Sequence, residues 1–564
     1  MKTKIFCLLG ALICAIAMLA SCGGNPPGPG PNGGDGDYNW NKTTLIFELS
    51  ENTSNGELSS EVKRYFAGEY FGTAQDIDDL VEERNELAES TTNVKIQYDY
   101  TPKDTEEFGW GSNVVRINNL VFSGAAAKPD MYCNFAYDLT CSALKGSFAN
   151  LYSTEYGEGN NYFRFTKDDY NPVSDNFFDS AAGEGYFFDY MKSLALSDDK
   201  MYCLASDYCT DLVRAFLIVP VNVNMMNSIA VEDSTGDLTG DGDFTIADFY
   251  ALVWGDSESG RAPGFTYDAV AKLAEAVYSD ENGTKTPDYG DKLGFAAGVG
   301  SGLTGSGLLY TTSVKIITNT PHTANGKTYN FSYPEDNEDL GVFADALNNL
   351  FTKTGVVTVD AAEAKAVNSS YKSELDGIRH SFAENNILFG GVIAVGSLED
   401  TVYQEMKAGD GFGVAPVPLY KAGDEYLTLV HNIARIVAIS ATTTKFEQCT
   451  AFLNYQSTNS SEIINEYYTN QLTKSVDGGL AGEDNVKMLT YIRNHVRDCF
   501  DKTYEDAISR YMLSSDTDAM NKRWHHILGE GDFRVTNIRA QYKSIYASKQ
   551  GDLEEIIDEW NKLN

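Results

Sequence analysis

The commonest catalytic signatures are missing from this 564-residue chain. It has no Gly-x-Ser-x-Gly elbow, no His-Glu-x-x-His and no phosphate-binding glycine loop ending in lysine. Gly298 to Gly307 is glycine-rich but lacks that lysine, and reads as a loop. Carboxylates are so numerous that no pair stands out as the acid and base of a glycosidase. Basic residues are scarce, with 43 Lys and Arg against 81 Asp and Glu, a net charge of −38. Such a surface repels polynucleotides and anionic headgroups, which excludes a nucleic-acid partner. No Cys/His spacing suggests zinc, and the adjacent pair His525-His526 points to opposite sides of any helix or strand. Tryptophan is rare at 5 residues, whereas Tyr (34) and Phe (29) supply the aromatic surface. The apolar fraction of 42% is that of a globular protein, and the length suits two or three domains.

The N-terminus is the most legible segment. Lys2 and Lys4 precede an apolar run from Ile5 to Leu19, too short to span a bilayer comfortably. Leu19-Ala20-Ser21-Cys22 then has the form of a bacterial lipoprotein cleavage site, with Cys22 as the lipidated residue. Residues 1–22 are expected to be the signal, and residues 23–40, rich in Gly, Pro and Asn, a flexible tether. Loss of Lys2 and Lys4 makes the mature chain still more acidic. The protein is therefore expected to be extracytoplasmic and lipid-anchored to the bacterial cell membrane. Outside the cell, the remaining cysteines Cys133, Cys141, Cys203, Cys209, Cys449 and Cys499 invite disulfides. The close pairs Cys133/Cys141 and Cys203/Cys209 are the candidates.

Beyond the tether, strand and helix patterns alternate. Leu45 to Leu49 reads as a strand. Ile77, Leu80, Val81, Leu87 and Ala88 form the stripe of an amphipathic helix. Val94, Ile96, Tyr98 and Tyr100 alternate as a half-buried strand, and Val114 to Phe122 is helical up to Gly124. Pro129 to Asn134 is the next strand, and Leu139 to Leu144 begins another helix. This βαβαβ order calls for a parallel sheet covered by helices, with ligands at the carboxyl ends of its strands.

Several segments, in order, resemble the extracellular solute-binding proteins of the carbohydrate-importer type, the class containing maltose-binding protein. They are the helix Asp78-Asp79-Leu80-Val81-Glu82-Glu83-Arg84-Asn85 with Asn93-Val94-Lys95-Ile96 after it, then Trp110 and Pro129-Asp130-Met131-Tyr132. Lys200-Met201-Tyr202-Cys203-Leu204 and Val219-Pro220-Val221-Asn222 follow, then Gly264-Phe265-Thr266-Tyr267-Asp268, Phe382 to Gly391, Phe412 to Pro418, and Ala438-Ile439-Ser440 with Lys445 to Tyr455. The resemblance implies a periplasmic-binding-protein type II fold, two α/β lobes with a hinge and an interlobe ligand cleft. Lobe 1 is placed at 41–217 and 419–465, lobe 2 at 218–418 and 466–564. It also implies a small solute, a sugar or oligosaccharide, delivered to ABC importer permease subunits. Pro129 to Leu151 matches the maltose-binding segment without a gap and carries its contact positions onto Asn134 and Tyr137, with Phe135 and Asp138 beside them. Asn134 stands where that family has a stacking tryptophan, so the maltodextrin platform is missing. Trp110, Asp207, Tyr208, Gly390 and Gly391 complete the expected ligand set. The alternatives are a helical-repeat glycan-binding lipoprotein of the starch-utilisation type and a lipid-anchored glycan hydrolase.

One insertion departs from that family. Asp237, Thr239, Asp241, Asp243, Thr245 and Asp248 occupy positions 1, 3, 5, 7, 9 and 12 of a loop with Gly242 at its turn. Calcium takes six to eight hard oxygen ligands, and this spacing wraps them round one ion. With a helix following, residues 236–253 resemble a dockerin-type loop and imply structural calcium. Asp280-Glu281-Asn282-Gly283, the other acidic turn, is expected to be a plain turn without a closing residue.

Overall fold

The computed structural model describes residues 40–50, 63–68, 76–101, 112–125, 127–152, 162–163, 185–197, 199–299, 302–407, 411–431, 434–472, 481–496, 500–511, 524–530, 532–535 and 537–563. The leader, Cys22, the tether up to residue 39, Trp110 and Cys499 lie outside these residues.

The first sheet grows from β1 (Thr43–Ser50), where Leu45, Phe47 and Leu49 are wholly buried on one face. α1 (Asp76–Thr92) then buries Ile77, Val81 and Ala88. Leu87, expected on the same stripe, is 47% exposed because it sits about a quarter turn off that line. β2 (Val94–Thr101) alternates buried Val94 and Ile96 with exposed Lys95 and Gln97, the two-residue period of a one-sided strand. α2 (Ser112–Phe122), β3 (Met131–Phe135) and α3 (Ala136–Leu144) complete the first βαβαβ unit. β1 pairs parallel with both β2 and β3. The Asp130 carboxylate fixes the entry to β3, accepting from the Ile46 amide at 2.9 Å and from Lys445 Nζ at 2.9 Å.

After α4 (Phe188–Ser193) and α5 (Thr210–Arg214) the chain crosses through β4 (Leu217–Asn222), buried at every position. The second lobe follows with α6 (Ile246–Trp254), α7 (Tyr267–Val277), β5 (Leu293–Gly298) and α8 (Gly302–Tyr310). The hairpin β6 (His322–Ala324) and β7 (Lys327–Tyr329), α9 (Glu338–Leu350) and β8 (Val356–Val359) come next. α10 (Glu374–Ala383), β9 (Ile387–Phe389), β10 (Ile393–Ala394) and β11 (Phe412–Ala415) finish it. The chain returns to the first sheet as β12 (Arg435–Ile439), followed by α11 (Phe446–Thr458).

Strand order defines the fold. The first sheet runs β12-β3-β1-β2 and the second β10-β4-β9-β5-β8, with β11 also on β4. In each, three parallel strands stand in the order second, first, third. An antiparallel strand arriving from the other lobe lies beside the third, β12 in one sheet and β4 in the other. This is the periplasmic-binding-protein type II arrangement. A helical-repeat protein has no place for two such sheets, so the starch-utilisation alternative falls.

The C-terminal helices α12 (Ala481–Arg493), α13 (Phe500–Tyr511), α14 (Trp524–Glu530) and α15 (Ile538–Trp560), expected in the second lobe, touch both. α13 and α15 hold the second lobe through the Tyr310 hydroxyl on Glu505 and the Tyr333 amide on Gln550 at 2.8 Å. They hold the first through the Tyr504 hydroxyl on the Leu194 carbonyl at 2.9 Å and Trp560 Nε1 on Ser197 at 2.9 Å.

The disulfide expectation is corrected. Cys133, Cys203, Cys209 and Cys449 are buried free thiols, so neither the Cys133/Cys141 nor the Cys203/Cys209 bridge exists. Each fills a core position of its own; Cys133, for example, stands in β3 opposite Leu49 and Val437. Burial pushes the Cys203 and Cys209 thiols up to about 12, which suppresses the thiolate that disulfide exchange requires.

Candidate functional site

The carboxyl ends of β1 and β3 and the amino end of β12 meet at one edge of the first sheet. Asn134, next to last in β3, is fully buried; its Oδ1 accepts from the Phe135 amide at 2.7 Å. Its Nδ2 has no hydrogen-bond partner among the described residues. The Phe135 ring, half-buried at the start of α3, stacks on Tyr137 with centroids 6.1 Å apart and an interplanar angle of 12°. Asp138 is buried beneath them and accepts from Asn113 Nδ2 at 3.2 Å. Four expected ligand residues are thus gathered within one strand end and the first turn of one helix.

Arg435 was not foreseen, and it organises this edge. Its guanidinium lies 5.2 Å from the Phe135 ring centre and is 1% exposed. Nε donates to the Ser50 carbonyl at 2.8 Å and Nη1 to Asp211 Oδ2 at 3.0 Å, while Nη2 is buried without a partner among the described residues. Asp211 also receives Arg214 Nη1 at 2.7 Å. Burial alone would raise the Asp211 carboxyl, but Arg435 and Arg214 outweigh it and hold it below its usual value. Arg214 Nε reaches on to Glu399 Oε1 at 2.8 Å, in the 3₁₀ turn Val395–Glu399 of the second lobe. Glu399 further accepts from the Tyr467 hydroxyl at 2.6 Å and the Tyr65 hydroxyl at 3.4 Å. The sequence signal for this network was an arginine opening the otherwise apolar strand Arg435-Ile436-Val437-Ala438-Ile439.

Of the remaining expected ligand residues, Trp110 lies outside the described residues, and Asp207, Tyr208, Gly390 and Gly391 do not join this group. Asp207 is buried and ion-paired with Arg493 of α12. Tyr208 is a core residue, with Phe66 at 5.3 Å, Phe47 at 6.2 Å and Phe452 at 6.3 Å round its ring and the Arg84 guanidinium 4.8 Å above it. Gly390 and Gly391 turn the chain after β9: a Cβ on Gly390 would strike Pro220 and Phe382, and Gly391 needs its φ of +72°. Close packing requires these glycines.

The acidic insertion forms a turn against the second lobe. Ligand oxygens of Asp237, Asp241 and Asp248 lie within 4.8 Å of one another. Asp237 accepts from the Gly240 amide at 2.6 Å and the Gly242 amide at 2.9 Å. Asp248, fully buried, accepts from the Leu238, Thr239 and Thr245 amides at 2.7, 2.8 and 2.9 Å. Burial would raise its carboxyl, but these amides outweigh it and lower it. Thr239 and Asp243 are exposed and Thr245 is half-buried. Phe249, one residue beyond Asp248, packs on Phe265 at 5.0 Å and anchors the turn.

The second acidic turn is more than was expected of it. Asp280 accepts from the Gly283 amide at 2.6 Å and the Lys285 amide at 3.0 Å. Asp291 accepts from the Glu281 amide at 3.1 Å and the Asp288 amide at 3.1 Å. Position for position this repeats the Asp237–Asp248 pattern, with φ of +77° and +67° at Gly283 and Lys285 against +80° and +96° at Gly240 and Gly242. A closing residue is present: it is Asp291.

No protein-family model and no curated protein matches the chain. Among solved structures it is similar to the GacH receptor of Streptomyces glaucescens, described unliganded and with acarbose, at 14% identity over 91% of this chain and 99% of that one, TM-score 0.44. The maltose/maltodextrin-binding domain MalE of Bdellovibrio bacteriovorus, bound to maltotriose, gives 11% identity over 90% and 99%, TM-score 0.43. The galacto-N-biose/lacto-N-biose I-binding protein of a Bifidobacterium longum ABC transporter gives 12% over 92% and 98%, TM-score 0.44. At these scores the likenesses carry no weight of their own, and the fold stands on its strand order.

Proposed function

We propose that this protein is an extracytoplasmic solute-binding lipoprotein, held to the membrane through Cys22, that captures a neutral sugar or oligosaccharide between its lobes and passes it to an ABC importer. One observation carries this reading: Asn134 Nδ2 and Arg435 Nη2 are buried donors without partners among the described residues at the strand-end edge, beside the stacked Phe135 and Tyr137. An unsatisfied buried donor costs about 1–3 kcal/mol, which a solute hydroxyl or ring oxygen accepting from it would recover. The aromatic pair offers apolar surface of the kind sugar rings pack against. Arg435 and Arg214 are both ion-paired, with Asp211 and Glu399, so neither guanidinium is an open charge that would recruit an anionic ligand. Arg214 and Glu399 tie this edge to the second lobe, which supports a site that feels lobe motion. The role is binding, not turnover.

We further propose that the Asp237–Asp248 loop binds calcium as a structural staple, through Asp237, Thr239, Asp241, Asp243, Thr245 and Asp248. Asp237, Asp241 and Asp248 are the residues whose carboxylates already converge.

A thermal-shift screen of neutral mono- and oligosaccharides, followed by calorimetry on the best ligand, tests the solute reading. Asn134→Leu and Arg435→Lys should each weaken that ligand at least about tenfold, or about 1.4 kcal/mol. A best ligand whose affinity ignores both substitutions would move the site elsewhere.

A further inference from the structure

A cavity of about 200 Å³ lies well away from the strand-end edge. Its walls come from α4 of the first lobe (Asp189, Lys192), from Lys200, from Asn319 and Phe331 of the second lobe, and from Phe500 of α13. The backbone locates it. The Met201 carbonyl accepts from Leu151 at 2.6 Å, and the Ile439 carbonyl, at the far end of β12, accepts from Ala149 at 2.9 Å. Arg435 opens that strand and Ile439 closes it, which separates the two places by about 14 Å along the sheet.

The lining is chemically distinct from the rest of the molecule. Acids outnumber bases in the chain by 81 to 43, yet here two lysines face one aspartate. Lys200 is held in place before any ligand arrives: its Nζ donates to the Trp560 carbonyl at 3.2 Å and the Leu563 carbonyl at 2.5 Å, at the end of α15. An ammonium has three donors, so one N–H is left for the cavity that Lys200 lines, and its side-chain ordering is already complete. Phe331 and Phe500 stack at 4.2 Å and 21° and supply an apolar wall, while Ser197 and Asn319 add hydrogen-bonding groups. The volume falls below the roughly 300–1,000 Å³ of sites for drug-sized ligands and suits a single ring.

We propose that this cavity is a second binding site, separate from the strand-end edge, for a compact polyhydroxylated ring bearing a carboxylate. The carboxylate pairs with Lys200 and Lys192, the hydroxyls with Asp189, Ser197 and Asn319, and the ring lies on Phe331 and Phe500. Its occupant would touch both lobes and the C-terminal helices at once.

Calorimetry on the whole protein at low salt, with glucuronate and glucose as probes, tests it, since screening weakens a charge-led site. Glucuronate should bind at least about tenfold more tightly than glucose. Lys200→Met, which keeps the stem and removes the ammonium, should cost glucuronate at least about tenfold. Asn319 is exposed, so Asn319→Leu leaves the fold alone, and by removing a hydrogen-bonding amide at nearly the same size it should cost glucuronate a loss of similar size. No glucuronate binding, equal affinity for the two probes, or glucuronate affinity unmoved by both substitutions would each overturn the proposal.

Discussion

Glu399 Oε1 accepts from Arg214 Nε at 2.8 Å and so joins the second lobe to the strand-end edge of the first. Both side chains are largely buried, at 3% and 15% exposure. Arg214 keeps Asp211 if Glu399 is lost, so its charge is not orphaned, and the cost is that of the charged hydrogen bonds Glu399 accepts from Arg214 and the Tyr467 hydroxyl. Glu399→Ala should therefore destabilise the protein by about 2 kcal/mol. Urea unfolding reads this directly, and an unchanged midpoint would mean that the pair contributes nothing.

The first parallel sheet was legible because alternation and helical spacing are local signals: β2, α2 and β3 lie within a few residues of where periodicity puts them. Asn134, Phe135, Tyr137 and Asp138 were found as a group because they share one strand end and helix turn. Asp207 and Tyr208 misled because a polar and an aromatic residue after a strand look alike whether they face a crevice or a core. Only the distant partners Arg493 and Phe66 decide it. Arg435 went unnoticed for the converse reason, since its partners Ser50 and Asp211 lie hundreds of residues upstream. The two-lobed packing of the C-terminal helices likewise depends on contacts such as Tyr504 to Leu194, which no local pattern encodes.

Asp211 gives the protein an acid dependence of definite sign. Arg435 and Arg214 hold its carboxyl below its usual value of 3.8 in the folded state, against the opposing effect of burial. In the window below 3.8 the unfolded chain binds more protons than the folded one. The stability from this group is therefore complete above that value and lost as pH falls through the lower, folded-state value. Urea midpoints measured from about pH 5 down to about pH 3 should fall less steeply for Asp211→Asn than for the unaltered protein, whatever the offset between them. Parallel curves would show that Asp211 is not part of the acid response.

Lys285 adopts a φ of +67° at the turn position that Gly242 fills in the first acidic loop. A side chain in that region costs about 1–2 kcal/mol, and glycine removes the cost while giving back part of it through a freer unfolded chain. Lys285→Gly should stabilise the protein by about 0.5–1 kcal/mol, seen as a raised urea midpoint. A destabilised variant would show that the loop does not take this conformation.

Calcium is the sharpest test of the insertion. In Asp237–Asp248 two buried or half-buried carboxylates already accept amide hydrogens, and the oxygens of Asp241 complete a set within 4.8 Å. Concentrating three carboxylates is costly unless a cation neutralises them, so an ion bound by the native state alone should stabilise it by mass action. At an ion concentration about 100 times the dissociation constant the gain is about 2.7 kcal/mol. Adding a chelator should lower the melting temperature, and restoring calcium should reverse the change. Asp241→Ala, at an exposed position that costs little packing, should abolish most of the calcium response while leaving the chelated protein as stable as the unaltered chelated chain. A melting temperature indifferent to calcium in protein confirmed metal-free, or a full calcium response in Asp241→Ala, would remove this loop from the list of ion sites and leave its acids as caps for α6.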